Sequence, residues 1–154
     1  MEVEHKLNVL IIDDNPEHRE NIKYALFWVL SKNFSHLESI TKKNEYMKNR
    51  SDEIKFQCAI NLKEALNALE STEFDLITVG WYIGIHWDEK GIQVIEHLKE
   101  NRPELLKKTI AISSDAQYLD DAKKTFQVNT FDKYDRNTKQ EELKKHIKNI
   151  LQLE

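Results

Sequence analysis

Leu7-Asn8-Val9-Leu10-Ile11-Ile12-Asp13-Asp14-Asn15-Pro16 is an apolar, largely β-branched run that ends in two carboxylates and a proline. Such a run is long enough for a strand buried on both faces and too short for a helix. Asn15 suits the N-cap of a following helix, and Pro16 its first position, where the missing N–H costs nothing. Asp13 and Asp14 therefore belong at the carboxyl end of a central strand, the edge at which open α/β sheets bind ligands. Adjacent acids repel, so a cation or a basic side chain is expected beside them. The plainer alternative is that they serve the positive end of the helix dipole.

Working outward, apolar residues at Ile22, Ala25, Leu26, Val29 and Leu30 predict a helix from Pro16 to about Ser31. The pattern dissolves over 32–53, read as an insertion that is part loop and part short helix. Ile54 to Ala59 alternates like a strand, and Asn61 with Glu64 resembles a capping box for a helix carrying Leu62, Ala65, Leu66 and Leu69. Phe74 to Val79 is the next strand, ending at Gly80. Trp81 to Lys90 reads as an unusually aromatic connection, with Trp81, Tyr82 and Trp87. A helix follows through Ile92, Ile95 and Leu98, stopping near Asn101 before Pro103. Thr109–Ser113 is a strand, Asp115 to about Phe126 a helix, and Thr130–Lys133 a short strand. Thr138 and Glu141 form a second capping box, opening a helix with Leu143, Ile147, Ile150 and Leu151 on one stripe. Five strands alternating with five helices predict a parallel sheet with right-handed crossovers and helices on both faces.

At 154 residues, 40% hydrophobic and 32% charged, the chain suits one globular domain, 1–154. The net charge of −4 and the lack of a basic stripe argue against nucleic acid. Ala25 to Leu30, the longest apolar run after the first strand, falls far short of the roughly 20 residues that span a bilayer. Met1-Glu2-Val3-Glu4-His5-Lys6 does not resemble a leader. With Cys58 the single cysteine, no internal disulfide forms, and a reducing, cytoplasmic setting is expected. Cys58 itself is expected in the core. The six histidines lack paired metal spacing and are expected at the surface.

Four features occur in a meaningful order: Asp13-Asp14 after the first strand, Phe74-Asp75-Leu76 opening the third, Ser113 closing the fourth and Lys133 closing the fifth. They resemble the receiver domain of bacterial response regulators over nearly the whole chain outside 32–53. The resemblance implies a flavodoxin-like (βα)5 fold with strand order 2-1-3-4-5. It also implies Mg²⁺ on the acid pair, a phosphoryl group on an aspartate ending the third strand, and contacts from Ser113 and Lys133 to that group. A hard cation and an ammonium would offset charge on transferring phosphoryl oxygens. Partners implied are a histidine kinase or a downstream effector of a phosphorelay.

The chain departs from that pattern where it matters most. The acceptor position falls on Gly80, between Val79 and Trp81, and the next acid is Asp88, within the aromatic loop. Tyr134 replaces a proline, Thr130 stands where a switch aromatic is usual, and Phe131 is one residue off and so faces the other side of the sheet. These departures predict a pseudo-receiver: not an enzyme, binding Mg²⁺ weakly if at all, with Lys133 paired to Asp13 or Asp14. Trp81, Tyr82 and Trp87 then either cover the sheet edge or form an interaction surface. Gly80 is expected to supply backbone angles closed to other residues. One alternative is a phosphorylatable receiver using Asp88. Another is a flavin-like ligand site, although an Asp-Asp-Asn-Pro loop would repel a cofactor phosphate.

Overall fold

The computed structural model describes residues 7–30, 54–83, 89–132 and 139–151, together with 39, 41, 42, 45 and 48. Most of the expected insertion, and Trp87, Asp88, Lys133, Tyr134 and Thr138, lie outside the described residues. In chain order the elements are β1 (Leu7–Ile12), α1 (Pro16–Leu30), β2 (Ile54–Ala59), α2 (Leu62–Ser71), β3 (Leu76–Val79), β4 (Tyr82–Ile83), β5 (Glu89–Lys90), α3 (Gly91–Asn101), a 3₁₀ helix (Pro103–Lys108), β6 (Thr109–Ser113), α4 (Ala116–Phe126), β7 (Asn129–Asp132) and α5 (Lys139–Leu151).

Five strands pair in the order β2-β1-β3-β6-β7, and every pairing is parallel. Counting these five alone, the order is the expected 2-1-3-4-5. Central strands are covered on both faces, which is why β1 and β3 read as unbroken apolar runs. Val9, Ile11 and Leu76 pack with Ile22, Leu26 and Phe27 of α1 and Leu143 and Ile147 of α5. Leu10, Ile12, Ile77 and Val79 pack with Ala65 and Leu69 of α2 and Val94 and Leu98 of α3. Over β6, Ala111 meets Ile95 of α3 and Tyr118 and Ala122 of α4. Phe131 joins the α1/α5 side, as its displaced register requires.

Several expectations change in detail. The aromatic connection holds a two-residue antiparallel ribbon, Tyr82–Ile83 against Glu89–Lys90, too short to show any period in the sequence. Ile83 is fully buried. Asp75 closes the start of the sheet rather than lying in β3: its N–H donates to the Asn8 carbonyl at 2.8 Å, and its Oδ2 accepts from the Asn8 N–H at 2.9 Å. Asn61 caps α2 by accepting from the Glu64 N–H at 2.8 Å, but Glu64 reaches past the cap to the Ile60 N–H, also at 2.8 Å. Cys58 is exposed, contrary to the core expected. It lies near the end of β2, the edge strand of the sheet among the described residues, so alternation alone does not bury it.

Candidate functional site

At the carboxyl edge of the sheet, parallel register sets Ile12 beside both Ala59 and Val79. Hydrogen bonds continue one step further: Asp13 N–H donates to Ala59 O at 3.0 Å and Gly80 N–H to Ile12 O at 2.9 Å. Asp13 and Gly80 are thereby neighbours across the ends of the two central strands. Asp13 is only 3% exposed. Its Oδ1 accepts from the Asn15 N–H at 2.9 Å, a local turn that shapes the entry to α1. Asn15 in turn caps the helix, accepting from Glu17 N–H at 2.8 Å and His18 N–H at 3.3 Å. Capping is thus done by Asn15, and the carboxylate of Asp13 stands behind it.

The expected basic partner comes from the first turn of α1. His18 Nδ1 lies 3.4 Å from Asp13 Oδ1, and Arg19 donates from its guanidinium to the Asp13 carbonyl at 2.9 Å. Against the surface position expected from the sequence, His18 is half-buried beside the acid, and His97 and His146 are half-buried in their own settings. The spacing from Asp13 to His18, across a strand end and a helix start, carries no recognisable motif. Asp14 is half-buried. Lys133, expected to pair with one of these acids, is outside the described residues.

Gly80 is where the site is most distinctive. A Cβ at this position would stand 2.8 Å from Asp13 Oδ2, 3.3 Å from Asp13 Cγ and 3.5 Å from Ile12 O. The Asp13 carboxylate fills the room a side chain at 80 would need. A side chain here would displace the Asp13 carboxylate, whereas the φ of Gly80 is not left-handed, which corrects the expectation of special backbone angles. A second glycine seals the other side. Gly91 opens α3 with its N–H donating to Trp81 O at 2.7 Å, and a Cβ on it would collide with Gly80 O and come within 2.7 Å of Val79 Cγ1.

The third side is aromatic. Tyr118, fully buried, donates its hydroxyl to Val79 O at 3.1 Å. Burial pushes that hydroxyl above the ordinary tyrosine range, and the charge of Asp13 adds to the effect. The Trp81 ring stacks on Tyr118 at 4.6 Å between centroids, 29° between planes, and Lys90 Nζ sits 5.0 Å from the Trp81 centroid. Trp81 is half-buried. Nothing in the sequence marked Tyr118 beyond its place on the inner face of a helix. Ser113 is 3% exposed, and its hydroxyl accepts from the Asp115 N–H at 3.0 Å, while Asp115 caps α4 through Tyr118 N–H at 2.8 Å.

The structure therefore brings Asp13, Asp14 and Gly80 together, with Ser113 ending the strand next to β3. Among the described residues, Mg²⁺, implied by the resemblance, would find the carboxylates of Asp13 and Asp14, while Gly80 brings none and its carbonyl is packed against Gly91. Among the described residues, no three His, Cys, Asp or Glu side chains are grouped to hold a metal ion. This is a poor fit to an ion that demands near-octahedral oxygen coordination. No helix among the described residues is long and apolar enough to cross a membrane.

No family model matches the chain, and no curated protein matches it in sequence. Solved structures do match. The response regulator TrrA from Thermotoga maritima, in complex with Mg²⁺-BeF, superposes with a TM-score of 0.60 at 19% identity, covering 94% of this chain and 99% of that one. A CheY-like receiver domain from Methanospirillum hungatei gives 0.64 at 17%, covering 96% and 95%. The receiver domain of a signal transduction histidine kinase from Syntrophus aciditrophicus gives 0.61 at 20%, covering 94% and 89%. At these identities the likeness is one of fold.

Proposed function

We propose that this chain, which carries the receiver fold, is an atypical signalling domain of the two-component type that takes no phosphoryl group at its acceptor position. The observation that carries this reading is the Asp13 carboxylate standing over Gly80, with a hypothetical Cβ only 2.8 Å from Oδ2. Glycine offers no nucleophile, and the neighbouring acid occupies the space where one would sit. On this reading the domain is not an enzyme, needs no cofactor and binds Mg²⁺ weakly if at all. It acts by binding a signalling protein, a histidine kinase or a downstream effector, through a surface that stands ready without modification. Trp81, Tyr82 and Trp87 are candidates for that surface.

Incubation with Mg²⁺ and acetyl phosphate, followed by intact mass, tests the reading. No mass gain is expected. A phosphoryl adduct on any residue, Asp88 included, overturns it. Pull-downs from the native cell with wild type, Trp81→Ala and Trp87→Ala then test the surface. Loss of a shared partner in both variants, with native circular dichroism, is expected, and undiminished capture by both removes these residues from the interface.

A further inference from the structure

We propose that Tyr118 is a latch fastening the first turns of α3 and α4 to the end of β3, so that the two helix starts open and close as one unit. The two segments are far apart in sequence. The bond from the Tyr118 hydroxyl to Val79 O spans 39 residues and is wholly buried. From that anchor three further contacts run outward. The Tyr118 ring carries Trp81 at 4.6 Å, Trp81 carries Lys90, and the Trp81 carbonyl accepts the Gly91 N–H that starts α3. On the other side, Ser113 and Asp115 hold the start of α4, and Tyr118 N–H closes the cap.

Each link depends on the ring and hydroxyl being where they are. A buried carbonyl that loses a side-chain donor is costly, and Gly91 packs so closely on this spot that a Cβ there would come within 2.9 Å of the Tyr118 hydroxyl. The ring packed over Ala111 of β6 comes from α4. Tyr118 is a positioning residue: it fixes backbone and ring without meeting a ligand. The consequence is coupling. A partner seated on the start of α3 changes the freedom of α4, and one seated on α4 changes that of α3.

Hydrogen exchange on the full chain tests this. In wild type the amides of Gly91, Tyr118 and Leu119 should share one opening equilibrium and respond together to denaturant. Tyr118→Phe, which keeps the ring and removes the bond, should speed exchange at all three by about fivefold, the size of one neutral hydrogen bond. Amides of β1 should be unchanged. Ile147→Val, in the opposite core, is the control for lost stability and should not single out these three. Trp81→Ala approaches the same latch from the surface and should loosen the same set. Unchanged exchange in both Tyr118→Phe and Trp81→Ala overturns the latch. So does a uniform rise across the sheet, or a rise at Gly91 without one at Leu119. Because none of these readouts involves acetyl phosphate, the latch and the unphosphorylated reading stand or fall separately.

Discussion

Placing a side chain at residue 80 is the sharpest probe of the site. Gly80→Ala puts a Cβ within 2.8 Å of Asp13 Oδ2, closer than real carbon–oxygen contacts allow, so the carboxylate must swing away. Swinging away breaks the Asn15 N–H bond to Oδ1, a bond to a charged group. A loss of about 2 kcal/mol is expected from that bond. Gly80→Asp adds a second carboxylate against one that is 3% exposed. Leaving such charge uncompensated brings the total to about 3–5 kcal/mol at neutral pH. The sign with pH follows from linkage. Two carboxylates in contact hold a proton more tightly in the folded state than when unfolded, so the extra penalty is absent in acid and grows as pH rises through the raised value. Urea unfolding of both variants at pH 7 and pH 4 measures the difference between them. Intact mass after acetyl phosphate should show no adduct on Gly80→Asp. Equal stability of Gly80→Asp and wild type at pH 7, or a phosphoryl adduct on residue 80, would refute the reasoning.

Thr78, on β3, is 2% exposed and its hydroxyl is buried without a hydrogen-bond partner among the described residues. Thr78→Val should therefore raise unfolding stability by about 1 kcal/mol in urea, and a loss of that size would mean the hydroxyl is satisfied in solution. The folded-state value of Tyr118 lies above its unfolded one, so its contribution is complete below about pH 10 and falls as pH rises beyond that. Wild type should lose stability in that alkaline range faster than Tyr118→Phe; parallel curves would contradict the burial argument. Gln127, with φ of 57°, caps α4 in the left-handed region. Gln127→Gly should stabilise by about 0.5–1 kcal/mol in thermal melts, and no gain would indicate that the side chain compensates the strain.

What the sequence made legible was whatever is decided locally. The run ending at Asp13-Asp14, the cap at Asn15, the strand 109–113 and the stripe Leu143, Ile147 each depend on neighbours within a turn or a pleat. That a glycine and not an acid follows β3 was legible for the same reason, as a count along one strand. What was not legible depends on partners far along the chain. Cys58 alternates like a half-buried residue, yet it is exposed on β2, the edge strand among the described residues. Tyr118 looks like any inward helical residue until β3 is placed 39 residues away in sequence. The setting of Gly80 was likewise hidden, since a glycine packed under a neighbouring carboxylate and one with a left-handed φ are spelled alike.

The paired bonds between Asn8 and Asp75 lie at the opposite end of the sheet from all of this. Their reach is nonetheless long. From Asn8 to Asp13 the strand climbs about 16 Å, and every residue on the way keeps the alignment set at the bottom. Were β1 to slide by a single residue against β3, Asp13 would turn to the other face and the hole above Gly80 would stand open. The clamp at one rim thus acts as the origin from which the geometry at the other is measured. An aspartate that looks like part of a phosphorylation signature serves here as the datum of a ruler.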